Sequence, residues 1–138
     1  MKFTPIKYKE LKPKQQEIYN FQKVAAVLAD YGFNCMKLAD DWQGADFLAY
    51  HKDQNETLKV QLKGRVHVDE KYSNKNIYMA FPLNDGWCII HHETLLELVG
   101  LHTVWLKSDA WKNTKSYSSK SVNKHLKYAL ENHVLKST

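Results

Sequence analysis

Hydrophobic spacing along the chain changes period several times, and each change predicts an element. Over residues 13–31 the apolar positions Ile18, Phe21, Val24, Ala25 and Leu28 recur at three and four, as in a helix lying on a sheet. Pro13 suits a first helical position and Gly32 a C-terminal cap. Residues 33–38 read as a strand, 40–44 as a turn and 46–51 as a second strand. A polar connection, 52–56, leads to a third strand over 57–66, where Leu58, Val60 and Leu62 alternate with Lys59, Gln61 and Lys63. Residues 67–76 are polar and predict a mobile loop. Residues 77–81 and 87–90 predict a hairpin turning at Asp85-Gly86, and 93–99 a short helix ended by Gly100. Ser118 or Ser119 can cap a last helix, with Val122, Leu126, Ala129, Leu130 and Val134 on one side and Lys120, Lys124 and Lys127 on the other. The pattern predicts a single α/β (α+β) domain over 1–138, with a central mixed or mostly antiparallel sheet flanked by helices and an extra C-terminal helix.

Composition narrows the class. With 43% hydrophobic and 25% charged residues the chain is of ordinary globular make-up. No apolar run reaches the roughly 20 residues that span a bilayer, so no membrane partner is expected. The first ten residues lack the apolar core of a secretory signal, and Cys35 and Cys88 have no metal-type spacing. Both cysteines are expected reduced and structural, in a cytoplasmic protein. The absence of a glycine-rich phosphate loop predicts no nucleotide cofactor. Charge is uneven: residues 1–104 hold 13 basic and 13 acidic side chains, so the net charge of +5 resides in 105–138. There, lysines including Lys115, Lys120, Lys124 and Lys127 interleave with Trp105, Trp111, Tyr117 and Tyr128. A lysine-rich face can simply be solvated. Interleaved with aromatics, it also suits a polyanion such as DNA, with Trp105 and Trp111 as stacking candidates.

Polar residues inside two strand patterns carry the candidate chemistry. Asp46 opens the segment Asp-Phe-Leu-Ala-Tyr, and Gln61 and Lys63 share one face of the next strand. Asp46 is a hard oxygen ligand for Mg²⁺, with Mn²⁺ as substitute, and Gln61 can add its amide oxygen. Lys63 can hold or deprotonate an attacking water, or stabilise a pentavalent phosphorane. Glu17, one helical turn before Phe21, can restore the negative charge that Gln61 lacks. Arg65, after Gly64, is suited to a phosphate contact.

In these residues the chain resembles the PD-(D/E)XK nuclease superfamily, of restriction-endonuclease-like fold. Ala45-Asp46 matches the first half-motif and Gln61-Leu62-Lys63 the second, after a helix bearing an acidic residue. The resemblance covers about 13–99, with 105–138 as a basic extension. It implies an αβββαβ core and a Mg²⁺-dependent endonuclease that hydrolyses phosphodiesters of double-stranded or branched DNA. In that reading Asp46 and Gln61 hold the metal, Lys63 positions the water and Glu17 assists, while Arg65, Lys115, Lys120, Lys124 and Lys127 grip the backbone. Ala45 replaces a proline that binds nothing, whereas Gln61 replaces an acid. The alternative is therefore a weak or inactive nucleic-acid-binding module of the same fold, or a subunit of a larger phage, repair or defence assembly. A chain this short has a modest footprint, so a homodimer with one site per strand is a further expectation.

Overall fold

In the computed structural model, which describes residues 1–137, the helix expected from residue 13 is α1, Pro13–Ala29. Proline costs nothing at a first turn, where its missing N–H would have had no partner. Gln15 Oε1 accepts the Lys12 N–H at 3.0 Å and satisfies one free donor there. The buried stripe is Val24, Val27 and Leu28, whereas Ile18, expected within it, is 46% exposed. The first turns of α1 face a polar cavity through Lys14, Glu17 and Asn20 instead of lying on the sheet.

Among the described residues eight strands follow: β1 (Phe33–Trp42), β2 (Ala45–His51), β3 (Thr57–Leu62), β4 (Val66–Asp69), β5 (Ile77–Leu83), β6 (Gly86–His91), β7 (Ser116–Ser119) and β8 (Val134–Leu135). Three more helices are α2 (His92–His102), α3 (Asp109–Thr114) and α4 (Lys124–Leu130). The main sheet has the order β1-β2-β3-β5-β6-β8, and β4 pairs with β7 apart from it. Every pairing is antiparallel except β3 with β5. The sheet is covered on both faces, since successive side chains alternate. Phe47, Ala49, Val60 and Ala80 pack under α1, while Ile77, Met79, Phe81 and Ile90 pack with Leu95 and Val99 of α2 and Leu126 and Leu130 of α4. The result is a mixed α/β fold with a mostly antiparallel sheet between helices. No helix among the described residues is long and apolar enough to cross a membrane.

Several boundaries differ from the sequence reading, each for a local reason. The strand β1 runs on to Trp42, so the first turn shrinks to Gln43 and Gly44, at φ 52° and 87°. A two-residue turn with both φ positive matches the strand twist. The second hairpin likewise turns at Asn84 and Asp85, at φ 53° and 60°, and Gly86 already belongs to β6. The strand expected over 57–66 breaks after Leu62, because β3 stays in the main sheet and β4 leaves it to pair with β7. Residues 67–76 are consequently not a free loop: they include most of β4 and a 3₁₀ turn that buries Tyr72 to 3% exposure. Gly100 lies inside α2 and does not end it.

The basic segment is part of the core, not an extension of it. Its Leu126 and Leu130 are fully buried. Asn123, not Ser118 or Ser119, caps α4, its Oδ1 accepting the Leu126 N–H at 2.9 Å; both serines lie in β7. Trp105 stacks on Tyr117 with centroids 4.9 Å apart, and Trp111 also packs on the core. The order helix–strand–strand–strand is present as α1-β1-β2-β3, but β4 and the 3₁₀ turn occupy the crossover to β5, where an αβββαβ core has a helix. Cys35 and Cys88 are unpaired, and burial pushes their thiols up to about 11 and about 12.

Gly86 marks a close approach. A Cβ there would lie 2.5 Å from the Leu135 carbonyl oxygen and 2.8 Å from Val134 Cγ1, both in β8. Gly86→Ala is expected to push β8 off the sheet edge and destabilise the protein by about 1–3 kcal/mol, the cost of overpacking. Denaturant unfolding tests this, and an unchanged midpoint would refute it.

Candidate active site

The register of two strands assembles the site. Phe47 pairs with Val60 across β2 and β3, so one step further sets Asp46 opposite Gln61. Paired residues on antiparallel strands project to the same face. Asp46 Oδ2 accepts the Leu62 N–H at 2.8 Å, which fixes the carboxylate against the strand that bears Gln61. Lys63 continues that strand, its N–H donating to the Ala80 carbonyl of β5 at 2.9 Å. Asp46, Gln61, Lys63 and Glu17 all line one cavity of about 500 Å³, beneath the first turns of α1. Glu17 stands at its exposed side, in an ion pair with Lys14 at 3.6 Å that contributes little to stability.

Asp41 joins them, although the sequence pattern placed it in a turn. Pairing between β1 and β2 is irregular from Lys37 to Trp42, and within this stretch Asp41 lines the same cavity. Burial raises the Asp46 pKa above the usual carboxylate range, opposed by the Leu62 N–H. The Asp41 carboxylate raises it further, through its charge and a hydrogen bond between the two groups, while Lys37 pulls it down. The signal available in the sequence was the acidic pair Asp40-Asp41, just ahead of Gly44-Ala45-Asp46.

Gln61 is the most telling residue. It is 7% exposed, and its Oε1 has no hydrogen-bond partner. Leaving a buried polar atom unpaired costs about 1–3 kcal/mol. Among the described residues no three His, Cys, Asp or Glu side chains converge as a metal cage. The donor set is instead two carboxylates and one carboxamide, all hard oxygens of the kind that suits Mg²⁺ or Mn²⁺.

Lys63 is half-buried, and burial lowers its pKa, helped by the charge of Lys71. Asp46, Asp69 and Asp41 act in the opposite sense. Its Nζ lies 5.7 Å from the Tyr72 ring centroid. Beyond it, His67 Nε2 is 3.8 Å from Asp69 Oδ2, and burial with the Lys63 charge holds His67 toward its neutral form. Buried His92 accepts the Asp69 N–H at Nε2, 3.2 Å away. Asp69 and Tyr72 thus shape the surroundings of Lys63, which a mobile loop would not have done.

The basic residues divide into two groups. Val66 pairs with Ser119, and extending that register sets Arg65 beside Lys120. These two share a small cleft with Gly64, which also lines the carboxylate cavity. Lys120 continues into a groove of about 810 Å³ that holds Lys124, Lys127 and Lys136, together with Glu131. Lys115 does not line it; it is the left-handed cap of α3, and its carbonyl accepts the Glu70 N–H. Comparison with protein-family models, curated proteins and solved structures found no match for this chain.

The sign of the Asp46 shift sets a stability test. A carboxyl whose pKa rises on folding contributes stability below its unfolded value and loses it as pH rises through the folded one. Asp46→Asn cannot ionise, so in EDTA at pH 7 it should melt above the wild type. Mg²⁺ or Mn²⁺ should raise the melting temperature of the wild type, and Asp46→Asn should lose that rise. A lower melting point in EDTA, or an undiminished response to metal, would count against this site.

Proposed function

We propose that this protein is a metal-dependent endonuclease of the PD-(D/E)XK kind, cutting phosphodiester bonds in double-stranded or branched DNA. One observation carries the reading: Gln61, whose buried Oε1 has no hydrogen-bond partner, lies across the strand pair from Asp46, and both residues line the cavity that Lys63 also lines. Asp46 and Gln61 would hold Mg²⁺, with Asp41 and Glu17 adding negative charge nearby. Bound there, a divalent cation supplies neutralisation of the developing phosphorane charge and a more acidic water.

The chain's own groups do the remaining work. Lys63, with its pKa held down, can take or share a proton of the attacking water and then face the developing dianion. Asp46 must be ionised to bind a cation, so proton and metal compete for it, and metal affinity should fall as pH drops. Arg65 and Lys120 are like charges set side by side, an arrangement that a bridging phosphate relieves. From there Lys124, Lys127 and Lys136 extend the track available to a DNA backbone. The restriction-like core belongs to this proposal, supported by the α1-β1-β2-β3 order and the parallel β3–β5 pair.

Purified protein incubated with plasmid, single-stranded and branched DNA should nick at least one of them only with Mg²⁺ or Mn²⁺. Asp46→Ala should abolish cleavage, and Lys63→Ala should slow it by about 100- to 1,000-fold. Gln61→Glu should tighten metal binding. Binding without cleavage in any metal would leave a nucleic-acid-binding module in place of an enzyme. Arg65→Ala and Lys120→Ala should each reduce the slope of log affinity against log salt by about 1, and Lys115→Ala should not.

A further inference from the structure

Beside the carboxylate cavity, and sharing Asn20 and Gly64 with it, lies a second hollow of about 320 Å³. Its walls are aromatic: Tyr8, Tyr19 and Trp87, with Pro82. The Tyr8 and Tyr19 rings are 5.3 Å apart and tilted by 59°, and Lys23 Nζ lies 5.2 Å from the Tyr19 ring centroid. Asn20 Nδ2 donates to the Tyr8 hydroxyl at 2.9 Å, which ties the 3₁₀ turn Tyr8–Glu10 to α1.

We propose that this hollow takes one unpaired nucleobase, which narrows the substrate from double-stranded or branched DNA at large to DNA with a single-stranded or locally opened segment at the site. The assignment rests on the nuclease reading for the neighbouring phosphate. Ligand cavities run from about 300 to 1,000 Å³, so this one has room for a single flat group and none for a helix. Aromatic faces accept any base by stacking, and the Lys23 ammonium beside the ring adds attraction for a nucleotide's negative charge. Continuity through Asn20 and Gly64 sets the hollow next to the carboxylates, as base and phosphate are neighbours within one nucleotide. A base still stacked in a duplex cannot enter; it must first leave the stack.

The test is binding by the full chain in EDTA, where no cleavage is required. A labelled single strand of about 15 nucleotides should bind about tenfold tighter than a blunt duplex of equal length. A 2-aminopurine in that strand should lose fluorescence on binding. Tyr8 is 40% exposed and its turn buries no residue, so Tyr8→Leu should fold. It should lower single-strand affinity about 5- to 150-fold and leave duplex affinity unchanged, while Tyr8→Phe keeps the preference. Equal affinity for strand and duplex, unquenched 2-aminopurine, or an unaffected Tyr8→Leu would each overturn the pocket. A protein that shows the preference but cuts nothing keeps the pocket and loses the nuclease reading. One that nicks intact plasmid equally well as Tyr8→Leu keeps the nuclease and loses the pocket.

Discussion

The hydrogen bond from the Leu62 N–H to Asp46 Oδ2 is the contact on which the site depends. It ties a carboxylate on one strand to the backbone of the strand that carries Gln61 and Lys63. A slip of one residue between β2 and β3 would turn every side chain of one strand to the opposite face. Asp46 would then exchange places with Phe47 and enter an apolar layer. What prevents the slip is that layer itself: Phe47, Ala49 and Val60 are completely buried beneath α1. Apolar packing under the later turns of α1 therefore sets the geometry of the polar groups that line the cavity at its first turns.

A second long-range pairing places the cations. Strands β4 and β7 are about 50 residues apart in sequence, and their ladder ends at Val66 and Ser119, beyond which Arg65 and Lys120 line one cleft. Leu126 and Leu130 anchor α4 in the core, which leaves its lysines outside. Lys124 and Lys127 are thus carried on an element anchored in the core. The carboxylates are similarly prearranged at a cost, since Asp41 and Asp46 repel each other and Gln61 keeps an unmatched oxygen. Such local strain persists only where the surrounding core over-determines it.

Much of this was legible in the chain. Alternation through residues 57–63 marks Gln61 and Lys63 as sharing a face, and the 3.6-residue period fixes α1. Lysines at 124 and 127 follow the helical spacing of the outer face of α4, whereas Lys120, expected on the same face, lies before the helix at the end of β7. Asp41 was not legible, because its place depends on an irregular strand pairing and on left-handed Gln43, a residue with no strong turn signal. The run 67–76 is polar in composition, yet its pairing partner is supplied from residues 116–119, and no local pattern announces a contact at that separation. The α4 cap was misplaced for a simpler reason: Ser118, Ser119 and Asn123 are all competent caps, and tertiary pairing in β7 takes the serines.

Gly64 borders the carboxylate cavity, the aromatic hollow and the Arg65 cleft alike. An added Cβ there would meet no atom within 4 Å. The crossroads of three recesses therefore has room for the methyl group of an alanine. A side chain introduced at that one position would border all three recesses at once, so a single substitution can alter them together.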